Sequence, residues 1–187
     1  MTTLIIGMAV FFGVHVLTST PFRAALAGKI GEMPYKALFS IVSLIGFGLM
    51  IWGFGMSRYG PDAARIVFNP PEWGLSVTGA FTLVGMIVLG SRGGKSHIRK
   101  IVKQPMSVGI GLWALGHLFS NGNLNEVLLL GGFLAYAIYD FLMCSAKGKT
   151  PKYEPQIKSD IIAIAIGVAI FATVLYFHFN LFGVAVL

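Results

Sequence analysis

The sequence carries little charge for its length. Of 187 residues only 11% are Asp, Glu, Lys or Arg, whereas 56% are apolar and the mean hydropathy is +0.79. A soluble domain places roughly a quarter charged residues on its surface. A chain with so few charges cannot face water on all sides. The composition therefore excludes an ordinary soluble globular domain and favours a protein embedded in a lipid bilayer.

Cysteine and catalytic signatures are also scarce. The single cysteine, Cys144, excludes an intramolecular disulfide. The sequence has no nucleophile elbow, zinc-protease, phosphate-loop or Cys-x-x-Cys motif. Its seven acidic residues are scattered, and none is paired with another inside an apolar run. This argues against a carboxylate dyad and against a proton relay through the membrane.

The sequence does contain six apolar runs, each of which predicts a transmembrane helix. We therefore expect an all-α integral membrane bundle of about six transmembrane helices, formed by a single domain over residues 1–187. The fourth run is short, because ~15 residues at 1.5 Å each reach only ~22 Å. The predicted helices cover approximately residues 2–19, 38–56, 73–90, 106–119, 124–143 and 161–181.

The basic residues are unevenly distributed among the predicted loops. Twelve of the 14 lie in the first, third and fifth loops, and only Arg58 and Arg65 lie in the second. Because cytoplasmic loops carry an excess of Lys and Arg, we expect the odd loops in the cytoplasm and both termini outside. We thus expect the basic residues behind the net charge of +7 to lie at a membrane surface, and we expect no nucleic-acid partner.

Two histidines interrupt the apolar runs, His15 in the first and His117 in the fourth. Ionisable groups at membrane depth are costly and usually face the interior of a bundle. Neutral imidazole is a common ligand of haem iron, so a pair on two helices indicates a metal or haem site. The alternative is that each imidazole bonds a neighbouring helix and serves packing alone. His97, in a basic loop, and His178, near the end of the last helix, are weaker candidates.

The surroundings of the two histidines suit both a flat macrocycle and ordinary packing. On a helix, His15 shares a face with Phe11 and Phe12, and His117 shares a face with Trp113. At 1.5 Å per residue, the predicted depths are ~7 Å and ~16 Å from the inner boundary, which permits ligation of one iron without requiring it.

Glycine is concentrated in the short fourth run, at Gly109, Gly111 and Gly116. Small residues let helix backbones approach closely or leave room for a planar ligand. Of these two interpretations we favour packing.

A series of short motifs is spread in order over residues 15–140. The motifs are His15, Arg23, Gly31-Glu32, Tyr35-Lys36, Leu38-Phe39-Ser40-Ile41-Val42-Ser43-Leu44, Asn69-Pro70-Pro71-Glu72-Trp73, Pro105-Met106, Gly109, Leu112-Trp113-Ala114-Leu115-Gly116-His117-Leu118, Asn121-Gly122-Asn123 and Gly131-Gly132-Phe133. In this order they resemble the NnrU family of membrane proteins.

The resemblance implies a multi-pass protein of a bacterial-type inner (cytoplasmic) membrane with a role in denitrification or nitric-oxide metabolism. The family shares a domain with the plant and cyanobacterial zeta-carotene isomerase, which binds haem b through two histidines. By this resemblance the axial ligands of the haem iron are expected at His15 and His117. Arg23, Trp113 and Asn121 are expected around them.

Two positions depart from the family's pattern. Gln104 stands where the family usually has the histidine of an Arg-His-Pro-Met stretch, and Ala114 stands where the isomerase has an extra cysteine. These departures put in doubt any mechanism that needs a third histidine or a cysteine ligand. Ligation by two histidines survives both changes.

The sequence is compatible with three alternative functions. The favoured one is a haem-b membrane protein that acts as a redox, nitric-oxide-responsive or assembly factor. The second is a haem-dependent cis–trans isomerase of a carotenoid-like polyene. The third, a membrane methyltransferase, is disfavoured by Gln104. The expected partners are the lipid bilayer and haem, together with a lipophilic polyene or a redox partner that the sequence does not identify.

Overall fold

A computed structural model describes residues 1–60, 65–148, 150–184 and 186. The chain is 78% helical and contains no strand within these ranges, which confirms the predicted all-α class. A short 3-10 turn at Ser91–Gly93 follows the fourth helix. The helices are α1 (Thr2–Leu17), α2 (Pro21–Ile30), α3 (Glu32–Ser57), α4 (Gly74–Gly90), α5 (His97–Val102), α6 (Pro105–Leu118), α7 (Leu124–Ala146), α8 (Ile157–Tyr176) and α9 (His178–Phe182).

Each of the six predicted membrane segments corresponds to a helix, namely α1, α3, α4, α6, α7 and α8. In the described part of the chain, α3, α4, α7 and α8 are long and apolar enough to cross a membrane. The pair α1 and α2 meets the same criterion together, but with a bend of 84°. The chain is therefore an all-α multi-pass membrane protein with four to five candidate spans. The predicted number of six spans is reached only if α6, with 14 residues, also crosses the membrane.

Three consecutive hydroxyl residues form the bend between α1 and α2. Thr18, Ser19 and Thr20 each donate to the carbonyl of the residue three positions earlier, at 2.6 to 2.8 Å. These bonds satisfy the last carbonyls of α1, which have no partner within the helix. Pro21 then begins α2 at a position where its missing N–H costs nothing.

The chain forms two compact units. Unit 1 comprises Met1–Phe68 and Asn123–Gly132, and unit 2 comprises Asn69–Gly122 and Phe133–Leu187. Helix α7 contributes its first residues to unit 1 and the remainder to unit 2. The single domain expected over residues 1–187 stays a prediction.

In unit 1, α1 crosses α3 at very short range through glycines. A Cβ added at Gly53 would lie 2.2 Å from the backbone nitrogen of Leu4, and one at Gly46 would lie 2.7 Å from that of Phe11. The fully buried side chains Leu4 and Met50 lie along this crossing. In a bilayer, where no hydrophobic force draws helices together, such small residues allow close van der Waals packing. The α1–α3 crossing is therefore the core of unit 1.

In unit 2, α4 packs against both α6 and α8. A Cβ added at Gly167 of α8 would lie 2.4 Å from Cα of Ile87, and one at Gly109 of α6 would lie 2.8 Å from the carbonyl oxygen of Gly85. A Cβ at Gly116 would lie 2.6 Å from Cβ of Phe81. The packing interpretation of the α6 glycines is thus confirmed at Gly109 and Gly116.

Candidate functional site

His15 lies in the last turn of α1, in unit 1. Its Nδ1 is 2.6 Å from the carbonyl oxygen of Phe11, one turn earlier. The imidazole centroid lies 4.3 Å from that of the Phe11 ring and 5.1 Å from that of Phe39 on α3. The carbonyl oxygen of His15 accepts a hydrogen bond from the Thr18 hydroxyl at 2.6 Å. The imidazole is therefore oriented by its own helix and by aromatic rings.

His117 lies in the last turn of α6, in unit 2. Its Nδ1 is 2.8 Å from the carbonyl oxygen of Trp113, and the hydroxyl of Thr82 on α4 lies 3.5 Å from the same nitrogen. The imidazole and indole centroids are 5.1 Å apart. The carbonyl oxygen of His117 accepts a hydrogen bond from Asn121 Nδ2 at 2.7 Å.

The two imidazoles share one local arrangement, although they belong to different units. In each, Nδ1 faces the carbonyl four residues earlier, so a neutral ring donates from Nδ1 and carries its lone pair on Nε2. Metal-ligating histidines typically donate their other ring N–H to a backbone carbonyl or a carboxylate in this way. The same bond satisfies a histidine that only packs. The arrangement therefore fits both alternatives that the sequence left open.

Each imidazole lies beside a candidate membrane-spanning helix, α3 for His15 and α4 for His117. Thr82 is eight residues from Gly74 and eight from Gly90, so His117 contacts α4 at its midpoint. On α3, Phe39 lies about 8 Å from the midpoint of that helix at 1.5 Å per residue. Both histidines thus lie beside a candidate span of their own unit.

Trp113 and Asn121 both lie next to His117, in different ways. Trp113 touches the imidazole with its carbonyl oxygen and with its indole ring. Its ring also makes an edge contact with Phe133 of α7, at 5.5 Å between centroids. Asn121 bonds the main-chain carbonyl of His117 and the hydroxyl of Ser120, and so caps the end of α6.

Arg23 lies on α2, at the start of which the chain turns away from α1. Its guanidinium is 3.4 Å from the Glu32 carboxylate and 5.9 Å from the centroid of the Tyr35 ring. None of the contacts that the structure describes for Arg23 joins it to His15. The structure therefore places Arg23 at the junction of α2 and α3.

Two threonines of α4 were missed by the sequence reasoning. Thr78 Oγ1 lies 2.7 Å from the carbonyl oxygen of Gly116 and 2.8 Å from the Ser120 hydroxyl, and Thr82 contacts His117. These hydroxyls join α4 to the end of α6 that carries the histidine. Their spacing of four residues on one helix face is a signal that the sequence contains, since hydroxyls bond across helices in membranes.

Gln104 lies far from His117 along α6. The 13 positions between them correspond to ~20 Å of helix. The Gln104 side chain instead donates to Ser145 on α7 at 2.9 Å. A histidine at position 104 would therefore face the end of α7, and the change to glutamine leaves the surroundings of His117 unaltered.

Helix α1 also lines an open apolar groove of about 770 Å³ in unit 1. Seven of its lining residues lie on α1 between Ile5 and Leu17, and Leu128 of α7 completes it. Met8 and Phe12 belong to this lining, and both also contact Gly132 of α7. An apolar groove of this size suits a hydrophobic chain.

Over the described residues, no group of three or more His, Cys, Asp or Glu side chains is arranged to hold a metal ion. A haem iron needs at most two ligands from the protein, because the porphyrin supplies four. The residues that fit such a site are His15 and His117, each by its own local geometry.

The helices and their composition define the class of protein as an all-α, multi-pass membrane protein. The chain belongs to the NnrU family, because the profile of that family, described as NnrU protein, matches residues 3–186. The match extends the resemblance seen over residues 15–140 to nearly the whole chain. Comparisons with curated proteins and with solved structures gave no match.

Proposed function

We propose that this NnrU-family protein binds haem b, with His15 and His117 as the axial ligands of the iron. The observation that carries the proposal is the matching orientation of the two imidazoles. Each donates from Nδ1 to a carbonyl of its own helix, at 2.6 and 2.8 Å, which leaves the lone pair of the neutral ring on Nε2. The family's shared domain with a bis-histidine haem protein supports the same two positions.

The residues around the histidines would hold and shield the cofactor. Phe11 and Phe39 present rings beside one imidazole, and Trp113 presents its indole beside the other. Bound haem supplies an iron that exchanges one electron, and its potential depends on the axial ligands and on burial. A redox or nitric-oxide-responsive role in denitrification is the function that this chemistry and the family membership support best.

The absorption spectrum of the purified protein, oxidised and reduced, tests the proposal. We expect a six-coordinate low-spin Soret band and a sharp reduced α-band, both lost in His15→Ala and in His117→Ala. His97→Ala is the matched control, because that imidazole pairs with the Asp160 carboxylate at 2.6 Å and its loss should keep the spectrum. Protein made with ample haem that binds none would overturn the proposal, as would wild-type spectra in both ligand variants.

The apolar groove on α1 favours a second function, isomerisation of a lipophilic polyene. Gly13 lines the groove, and a Cβ added there would meet nothing within 4 Å. Gly13→Phe should therefore fill the groove without disturbing α1. Expression in polyene-accumulating cells should change the cis/trans ratio with the wild-type protein and not with Gly13→Phe, while the haem spectrum is kept. An unchanged ratio with the wild-type protein excludes this function.

We also propose an inner-membrane location with the odd loops in the cytoplasm. The support is the 12 to 2 distribution of basic residues between odd and even loops. A reporter that is active only outside the cytoplasm should be active when fused after residue 187, and a cytoplasmic reporter should not. The reverse result would invert the orientation.

A further inference from the structure

Two basic segments of unit 2 pack against each other, although they are distant in the sequence. Residues 91–103, which include α5, contact residues 150–160, which include the first turn of α8. Together these segments contain seven of the 14 Lys and Arg residues but only two of the seven acidic residues. We call the surface formed by residues 91–103 and 150–160 the basic junction.

Hydrogen bonds at four successive positions hold the two segments together. They join Lys95 to Gln156, Ser96 to Tyr153, and both His97 and Ile98 to Asp160, at 2.6 to 3.2 Å. Ser96 is fully buried at this contact. Because the bonds follow one another along the chain, they fix the loop that carries α5 onto the start of α8 as one continuous surface.

The basic junction leaves most of its cations exposed and unpaired. Arg99 is turned inward, since its guanidinium donates to the Gly94 carbonyl at 3.2 Å and lies 5.8 Å from the centroid of the Tyr153 ring. The other six are exposed, and within the described ranges none of them forms an ion pair. Like charges held on one surface repel one another unless anions cover them. These six cations are Arg92, Lys95, Lys100, Lys103, Lys152 and Lys158.

Two isoleucines are exposed among these cations. Ile101 on α5 is 78% exposed and Ile157 at the start of α8 is 71% exposed. Each is adjacent in sequence to an exposed lysine, Lys100 or Lys158. An apolar side chain beside an ammonium group suits the boundary between lipid headgroups and acyl chains, where each group finds its own environment. A soluble anion would leave both isoleucines in water.

The basic junction lies at the ends of two candidate spans. The span that includes α4 ends at Gly93, and the span formed by α8 begins at Ile157. Arg92 therefore lies in the last turn of one span and Lys158 in the first turn of the other. At physiological ionic strength, charges interact over about 8 Å before salt screens them. Cations at the ends of spans are thus within reach of the phosphates of a lipid leaflet.

We propose that the basic junction binds the phosphate headgroups of anionic phospholipids, with Ile101 and Ile157 inserted among the acyl chains. The six exposed cations supply the attraction to phosphate, and the two isoleucines favour a lipid over a soluble anion. A second copy of the chain is a poor occupant, because its own junction carries the same charge and would be repelled. The lipid surface requires neither haem nor a particular orientation in the membrane, so it is independent of the proposed function.

Thermal unfolding in an uncharged detergent tests the lipid surface, with phosphatidylglycerol replacing phosphatidylcholine at constant total lipid. Phosphatidylglycerol should raise Tm by about 3 °C or more, because a lipid bound to the folded state stabilises it. Raising the salt to about 1 M should remove most of this rise, since the Debye length falls to about 3 Å.

A double substitution with one lysine from each segment measures the contribution of charge. A basic residue near a membrane surface contributes about fivefold in affinity, so Lys100→Gln/Lys158→Gln should raise the phosphatidylglycerol concentration at half-maximal effect about 25-fold. Lys29→Gln/Lys36→Gln is the matched control, because it removes the same charge from exposed positions in unit 1 and should leave this midpoint unchanged. Ile101→Gln should raise the midpoint at constant charge.

Several outcomes would overturn the proposal. The first is an equal rise with phosphatidylcholine, and the second is an equal rise with sodium phosphate in place of the lipid. The third is the same weakening in both double variants, which would show that the charge acts wherever it lies. A larger rise with polyglutamate would identify an acidic protein as the partner instead. An unchanged midpoint in Ile101→Gln contradicts insertion into the lipid.

Discussion

His15 and His117 are held alike by their own helices, but the neighbouring helices offer them different partners. In unit 1, α3 offers the ring of Phe39 and packs against α1 through glycines. In unit 2, α4 offers hydroxyl groups, with Thr82 beside the imidazole. Orientation in unit 1 therefore depends on shape, whereas in unit 2 it also depends on hydrogen bonds. The two units should respond differently to the same kinds of substitution.

The largest effect is expected where backbones touch in unit 1. Gly53→Ala should destabilise the protein by about 3 kcal/mol, because overpacking at backbone contact cannot be relieved by a rotamer change. A Cβ there would lie 2.2 Å from the Leu4 nitrogen. Thermal unfolding in detergent measures the loss. Gly48→Ala, on the same helix with nothing within 4 Å, is the matched control and should be neutral or slightly stabilising.

The corresponding pair in unit 2 sharpens this comparison. Gly85→Ala should destabilise less than Gly53→Ala, since its nearest neighbour, the Gly109 carbonyl oxygen, is 2.8 Å from the added Cβ. Gly79→Ala meets nothing within 4 Å and serves as the control on α4. Equal losses at Gly53 and Gly48 would show that the α1–α3 crossing is not the core of unit 1.

Trp113→Leu should lower stability by about 2 kcal/mol, through the loss of ring contacts with His117 and Phe133. It should nevertheless preserve the orientation of His117, because Nδ1 donates to the main-chain carbonyl of residue 113, which the substitution leaves in place. Unfolding measures the first effect, and the low-spin haem spectrum measures the second. Loss of the spectrum in a folded variant would show that the indole itself is required.

Thr78→Val should destabilise by about 1 kcal/mol, the usual cost of a lost hydrogen bond across membrane helices. Thr78 bonds the Gly116 carbonyl at 2.7 Å, whereas the contact of Thr82 with His117 is long, at 3.5 Å. Thr82→Val should therefore cost less than Thr78→Val in the same unfolding experiment. The opposite ranking would show that Thr82 is the stronger link between α4 and α6.

The smallest effect is expected at the position where the chain departs from its family. Gln104→His should change neither the haem content nor the spectrum, because residue 104 lies ~20 Å from His117 along α6. Its side chain meets Ser145 on α7. A new spectral form in Gln104→His would contradict this separation.

Apolar runs were sufficient to predict the main helices, because the bilayer requires long apolar segments. Each predicted run lies on a helix of the structure. Neither the sharp bend after α1 nor the short helices α2 and α5 were predicted. The bend depends on the hydroxyls of Thr18, Ser19 and Thr20, and α5 begins with a cap from Ser96. Such local bonds leave no periodic signal in the sequence.

Residues of the candidate site could be predicted only where their type is unusual in a membrane helix. His15 and His117 stood out because imidazole is rare in apolar runs. Thr78 and Thr82 did not, because threonine is compatible with a membrane helix and its partners lie on another segment. Asp140 was set aside because no second acid accompanies it, whereas its close partner in the structure is the hydroxyl of Ser107.

The shortness of α6 has a consequence for how the chain enters its membrane. With 14 residues, several of them glycine, α6 is poorly suited to partition into lipid alone during synthesis. Gly109 and Gly116 pack against α4, which is synthesised before α6. The first residues of α6 are hydrogen-bonded to α7, which is synthesised after it. We therefore expect α6 to leave the insertion machinery together with these neighbours, so that biogenesis of the His117 region is a concerted event.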